Sequence, residues 1–224
     1  LIGNNPSVSV KRVSSLLERE YGLPRREKGT DPLEELIFTL LSQNTNDRNR
    51  DRAWEAMWKA FRNWEEIASA GGRAGLEKVI RPGGLARVKA RRILAILKEI
   101  KRRYGRYDLS FLKRMSRDDA RSLLLSFSGV GPKTAACVLI FSCGIPAFPV
   151  DTHIHRVTSR LGLIPPRTTR EKAHEILEKI VPEEMYYTFH INLIRHGRLV
   201  CKAGGPMCGS CVLLKMCSYG KRKV

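Results

Sequence analysis

Apolar residues along the chain recur mostly every three or four positions, and strict alternation is scarce, so the pattern predicts a succession of helices with few strands. One helix opens at Asp31-Pro32-Leu33-Glu34, a cap residue, a first-turn proline and an acidic first turn. It carries LEELIFTLL to an end near Ser42. A polar loop, Gln43-Asn44-Thr45-Asn46, leads into DRNRDRAWEAMWKAF, where Ala53, Trp54, Met57 and Phe61 fall at helical spacing and read as core. Pro82-Gly83-Gly84 punctuates the chain before ARVKARRILAILKEIKRRYG. There an apolar stripe of Val88, Ile93, Ile96, Leu97 and Ile100 is surrounded by a basic face that includes Arg87, Lys89, Arg92 and Lys101. Ser116, with Asp119 at the capping-box position, opens SRDDARSLLLSF. That helix stops at Ser128-Gly129-Val130-Gly131, and Pro132 starts a second one, PKTAACVLIFS, which makes a helix–hairpin–helix.

Composition narrows the partners. The 224 residues are 42% hydrophobic and 28% charged, enough chain for one large domain or two small ones with a proper core. Lys and Arg number 41 against 22 Asp and Glu, a formal charge of +19 that favours a polyanionic partner. A membrane fits less well than nucleic acid. The longest uncharged stretch, Thr134 to Val150, is too short for a span and is broken by Ser142, Gly144, Pro146 and Pro149. The first residues, LIGNNPSVSVKRVSS, lack the apolar run of a signal peptide, so the expected setting is intracellular and reducing.

Six cysteines are present, and their placement says more than their number. Cys137 and Cys143 lie in or just past the apolar pattern AACVLIFSC and read as ordinary buried residues. Cys201, Cys208, Cys211 and Cys217 are spaced C-x6-C-x2-C-x5-C. Disulfides suit a secreted chain, which this does not resemble. Structural zinc usually takes two short pairs, and only one C-x2-C pair exists here. Uneven, wider spacing on a loop with Gly204, Gly205, Pro206 and Gly209 suits an iron–sulfur cluster better, without removing zinc.

Two residues stand where chemistry is conceivable. Lys133 falls in the first turn after the glycine hairpin, where a cation opposes the helix dipole; the bland reading is a surface lysine. Asp151 follows Pro149-Val150 and begins DTHIHRVTSRLG; the bland reading is an N-cap. His153 and His155 read as polar helix residues. The hairpin amides at Gly129, Val130 and Gly131, with the helix start behind them, form a plausible phosphate seat.

Taken in order, LLSQNTND, GLARVKA, FSGVGPKTA, PVDTHIHRV and the cysteine spacing resemble the endonuclease III family of DNA glycosylases, over roughly residues 30–217. The resemblance implies an all-α fold of two helical domains with the active-site cleft between them. One is a six-helix barrel with the helix–hairpin–helix, here residues 33–146. The other is a discontinuous domain, residues 1–32 and 147–224, carrying a 4Fe–4S cluster on Cys201, Cys208, Cys211 and Cys217. It implies Lys133 as nucleophile and Asp151 as the essential aspartate of a bifunctional glycosylase and abasic-site lyase acting on oxidised pyrimidines such as thymine glycol. Gln43, Asn44, Gly129, Val130, Gly131 and Lys89 are expected to meet DNA. The partner is double-stranded DNA with damaged bases or abasic sites, no membrane is expected, and the protein is expected to be a monomer in the nucleoid-containing cytoplasm of a prokaryote.

Two departures from the family pattern bear on specificity. The family commonly has a Gln where Asn44 aligns, with Gln43 one residue earlier, so Gln43 and Asn44 are the two candidates to fill the gap left by a flipped base. Pro132 stands where a basic residue is common, which removes a phosphate contact while stiffening the helix start. A glycosylase for mismatched or deaminated bases and a non-catalytic iron–sulfur DNA-binding protein are the rival readings.

Overall fold

The computed structural model describes residues 9–25, 29–69 and 73–224, and no β-strand forms among them. The chain is all-α, as the periodicity predicts. In chain order the α-helices are α1 (Val10–Tyr21), α2 (Pro32–Leu41), α3 (Asp47–Ala60), α4 (Trp64–Ser69), α5 (Arg73–Val79), α6 (Ala86–Tyr104), α7 (Arg117–Leu125), α8 (Pro132–Cys137), α9 (Thr152–Leu161), α10 (Arg170–Ile180), α11 (Tyr186–Leu199) and α12 (Ser218–Lys221). Among the described residues no helix is long and apolar enough to cross a membrane. The chain divides into two units, residues 29–145 and residues 1–28 with 146–224. Residues 1–8 and 26–28 of the expected 1–32 segment lie outside the described residues.

Residues 29–145 are built around α2. Leu33, Leu36, Ile37, Leu40 and Leu41 are wholly buried there, so this helix is apolar over most of its circumference, as a central helix must be. It packs against α3, α6 and α8. Its start is fixed by Asp31, whose Oδ1 accepts from the amides of Leu33 (2.9 Å) and Glu34 (3.1 Å). Asn46 caps α3 and Ser116 caps α7 in the same manner, Ser116 with the expected Asp119 partner. Of the expected α3 core, Ala53 and Met57 are buried, while Trp54 and Phe61 are only partly covered. Trp54 instead joins an edge-to-face series with Phe38, Trp58 and Trp64.

The helix after the hairpin is not a single α-helix. After Cys137 it widens into a π-helical segment, Val138–Cys143, which ends at Gly144 with φ +70°. Leu139 O accepts from both Gly144 N and Ile145 N, the wide loop closure of a π turn.

The other unit packs α1 on α11 and surrounds α9 with α10, α11 and α12. Phe148, Tyr186 and Phe189 form its aromatic centre. The extended segment running up to Asp151 has no helical partner for its backbone, and side chains supply the bonds instead. Phe148 N donates to Glu178 Oε1 (3.1 Å), and the carbonyls of Phe148 and Pro149 lie 3.0 Å from Nδ1 of His174 and His190. A carbonyl can only accept, so both imidazoles hold their proton at Nδ1.

Candidate active site

Lys133 is the second residue of α8, partly covered, and immediately follows the turn that joins α7 to α8. That turn is shaped by its glycines and by α6 behind it. Gly129 has φ +82°, a conformation that calls for glycine, and a Cβ there would lie 2.7 Å from Cδ of Arg92 and would have to displace that side chain. Gly131 is extended, with nothing within 4 Å of a Cβ. From α6, Arg103 Nη1 donates to Ser126 Oγ (2.8 Å) and its guanidinium lies over the Phe127 ring. Val130 corrects the expectation for the hairpin. Its side chain is buried and its amide donates to Phe127 O (3.1 Å), so it closes the turn from within and its amide is already used.

Lys89 is the larger correction. It was expected on the basic outer face of α6, yet it is only 2% exposed. It lies four residues before Ile93 and therefore on the buried stripe. Its Nζ donates to the carbonyls of Leu41 (2.6 Å) and Gly83 (2.8 Å), clipping the C-terminal end of α2 to the turn before α6. No phosphate reaches it there. Burial pulls this amine down to about 8 from the ordinary 10.5. Replacing Lys89 by Met should destabilise the protein by ~1–3 kcal/mol, because two buried carbonyls lose their donor. The folded protein releases this proton before the unfolded chain does, so between about pH 8 and 10.5 the unfolded chain binds more protons. The stability advantage of wild type over Lys89→Met should therefore grow as pH rises through that window, read from urea midpoints.

The loop after α2 presents the two expected base-gap residues differently. Gln43 Oε1 accepts from Arg92 Nη1 (2.9 Å) and its Nε2 stands 3.5 Å from Thr134 Oγ1. Asn44 is exposed and has φ +51°, a left-handed conformation that Asn tolerates better than most residues. A third residue here was missed by sequence reasoning. Leu85 is 54% exposed with φ +48°, just before α6. A large apolar residue held in solvent in a strained conformation is a mark of function, and its signal was an apolar residue between Gly84 and the helix start.

Asp151 does cap α9: its Oδ1 accepts from Ile154 N (2.8 Å). The side chain is partly exposed. His155 Nε2 bonds Thr168 O (2.7 Å) and His153 Nδ1 stands 3.0 Å from Arg156 Nη2, so both are structural.

The helix that Asp151 caps also holds the cysteine loop. Arg156 donates to Cys201 O (2.9 Å) and Gly197 O (2.7 Å), and Arg160 donates to Lys202 O (2.7 Å), Ala203 O (3.1 Å) and Cys201 Sγ (3.3 Å). Cys201, Cys208, Cys211 and Cys217 line one pocket with Val157, Leu161 and Leu213, and none forms a disulfide. Cys217 Sγ accepts from Gly220 N (3.3 Å) and Cys211 Sγ lies 3.5 Å from His196 Nε2. Burial pushes the thiols of Cys211 and Cys217 up, and takes His196 down to about 4. Among the described residues no group of three or more His, Cys, Asp or Glu closes around a single metal ion. The donor set is better matched to a larger body: four thiols around one pocket, with N–H donors already aimed at sulfur. Cys137 is buried as expected and Cys143 partly so.

Residues 37–183 match the family model described as HhH-GPD superfamily base excision DNA repair protein, which fixes the class. Endonuclease III of Thermotoga maritima is 36% identical over 200 residues, 89% of either chain, and that of Bacillus subtilis is 31% identical over 194 residues, 87% of this chain and 84% of the other. The structure of a trapped endonuclease III–DNA covalent intermediate, an estranged-adenine complex, superposes with a TM-score of 0.83 at 30% identity, covering 96% of each chain. The chain belongs to the endonuclease III family of DNA glycosylases and abasic-site lyases.

Proposed function

We propose that this enzyme removes oxidised pyrimidines of the thymine glycol type from double-stranded DNA, as a monomer, and then cuts the strand through a lysine Schiff base. The observation that carries the reading is the place of Lys133, on the first turn of α8 directly behind the Gly129–Gly131 turn, so that a backbone phosphate seated there brings a sugar to the amine. A relative 30% identical over nearly the whole chain has been trapped as a covalent intermediate with DNA, which supports the same route here. The base must leave the stack before its sugar can be attacked. Lys133 Nζ forms a bond to C1′ as the bond to the base breaks, and Asp151 stabilises the positive charge on the sugar. The C1′–O4′ bond then opens, with O4′ taking a proton, to give the Schiff base; loss of the C2′ proton from it expels the 3′ phosphate and breaks the strand.

Asn44 or Gln43 fills the vacated space, and Leu85 acts as an apolar wedge at the unstacked step. Leu85→Gly should stabilise the fold by ~1 kcal/mol by relieving the left-handed backbone. It should also slow excision from a paired duplex while sparing cleavage at a single-stranded abasic site. Melting curves read beside single-turnover rates check both signs.

Cys201, Cys208, Cys211 and Cys217 would hold a 4Fe–4S cluster. When bound, it supplies four iron–thiolate bonds that tie the loop into one piece. Arg156 and Arg160 connect that loop to α9 and so to the helix that Asp151 caps. Exposed Lys202 and Lys215 add positive charge toward a phosphate backbone. The substrate class is tested by base release from duplexes carrying thymine glycol, a G·T mismatch or a G·U mismatch. Faster release of thymine glycol is expected; preference for either mismatch would replace the oxidised-pyrimidine reading by the mismatch one.

A further inference from the structure

Tyr21 ends α1, and one face of α11 holds that end in place. Asn192, Arg195 and His196 fall at helical spacing on this face. Asn192 Nδ2 donates to Gly22 O (3.1 Å), Arg195 Nη1 donates to Tyr21 O (3.0 Å), and His196 Nδ1 stands 3.0 Å from the Tyr21 hydroxyl. The other ring nitrogen of His196 meets the cysteine loop, with Nε2 3.5 Å from Cys211 Sγ. The same residue also receives the start of that loop, since its carbonyl accepts from Val200 N (3.0 Å) and Cys201 N (2.8 Å). His196 is only 1% exposed. A polar ring so placed costs desolvation that an apolar residue would avoid, and both of its nitrogens are engaged.

The chemistry at sulfur decides which way these bonds run. A sulfur bound to iron has no proton and can only accept, so Nε2 is the nitrogen that carries the hydrogen. The single proton of a neutral imidazole is then used, Nδ1 offers its lone pair, and the Tyr21 hydroxyl donates to it. Donation therefore runs from Tyr21 O–H to Nδ1 and from Nε2–H to sulfur, each bond polarising the next in the same sense. Cys201 and Cys217 also meet N–H donors, from Arg160 Nη1 (3.3 Å) and Gly220 N (3.3 Å). Those donors serve the loop itself, because Arg160 also ties Lys202 O and Ala203 O and Gly220 N is backbone. His196 differs in having a second side chain behind it, from the other end of the sequence.

We propose that Tyr21 and His196 form a relay that donates a hydrogen bond to the Cys211 thiolate, fixing this sulfur for the cluster and raising the cluster's reduction potential. An N–H donor draws charge from sulfur and stabilises the electron-richer form of a bound cluster more than the electron-poorer one. The couple exchanges one electron with an outside donor or acceptor, an electrode in the test. No proton moves and no covalent bond changes at Tyr21 or His196. The relay thus favours the reduced form and ties the end of α1 to the loop. This rests on the reading of Cys201, Cys208, Cys211 and Cys217 as cluster ligands, and it adds two positioning residues outside the cysteine spacing.

The test is voltammetry of the DNA-free holoprotein at one pH, for wild type, His196→Phe, His196→Gln and Tyr21→Phe. Iron content, absorption spectrum and melting temperature are read on the same preparations. His196→Phe removes the donor, and its potential should fall. At a fixed voltage the ratio of oxidised to reduced protein should rise about tenfold, which is ~59 mV for one electron. Gln places an N–H close to the position of the imidazole Nε2, so His196→Gln should recover most of the wild-type potential. Tyr21→Phe keeps the imidazole but removes the hydroxyl behind it, and should give a smaller shift of the same sign. An unchanged potential in His196→Phe with full iron content would overturn the proposal. So would an equal shift in His196→Phe and His196→Gln, which is what lost packing alone predicts. If His196→Phe is isolated without its iron, Tyr21→Phe decides: a lower potential supports the relay and an unchanged one overturns it. A wild-type protein that is colourless or holds zinc overturns the cluster reading instead and takes this proposal with it.

Discussion

Lys133→Gln is expected to give no trapped adduct and to lower strand cleavage by ~10⁴-fold or more, the scale on which removal of a nucleophile acts. Binding to a lesion duplex should remain near wild type, since the hairpin glycines and the surrounding positive charge are untouched. The same change removes a cation from the first turn of α8, where it opposes the helix dipole. Stability should therefore hold or rise by a few tenths to ~1 kcal/mol. Opposite signs for activity and stability are the mark of a residue kept for chemistry. A variant that lost both together would point to a packing role for Lys133. The measurements are single-turnover cleavage, a salt-matched binding titration and a thermal melt of one preparation.

Asp151 needs a pair of variants, because it is both a cap and a candidate charge stabiliser. Asp151→Asn keeps an oxygen for Ile154 N, and Asn caps as well as Asp, so its stability should change little. Asp151→Ala removes the cap and should cost ~1 kcal/mol. Both lack the carboxylate, and both should slow base release by ~10²- to 10³-fold. If Asp151→Asn were nearly as active as wild type while only Asp151→Ala failed, the aspartate would be a cap and nothing more. Equal loss in the two, with only Ala destabilised, separates the chemistry from the helix start.

The capped helices were legible in the sequence because capping is local. Asp31, Ser116 and Asp151 each satisfy an amide two or three residues ahead, and the residues that do so are written side by side. The π-helical turn was not legible, since the apolar run Val-Leu-Ile-Phe suits either helical form and the difference lies in which amides Leu139 O receives. Lys89 was misplaced for an instructive reason. Its charge was given more weight than its position, yet four residues before Ile93 it must point inward. Glu35 and Thr39, polar positions on the largely apolar α2, were not singled out in the sequence, and the bonds that hold them, from Thr39 and Thr30 to the Glu35 carboxylate, exist only in the fold. The four cysteines were legible as a set from spacing. What spacing did not contain is that Arg156 and Arg160 join their loop to the helix capped by Asp151.

The central claim is that one amine both releases an oxidised pyrimidine and opens the strand. Its most direct test is borohydride trapping on a thymine glycol duplex, followed by mass-spectrometric identification of the modified residue. A stable protein–DNA adduct on the peptide containing Lys133, absent in Lys133→Gln, is the predicted result. Base release without any adduct, or an adduct on another residue, would contradict it.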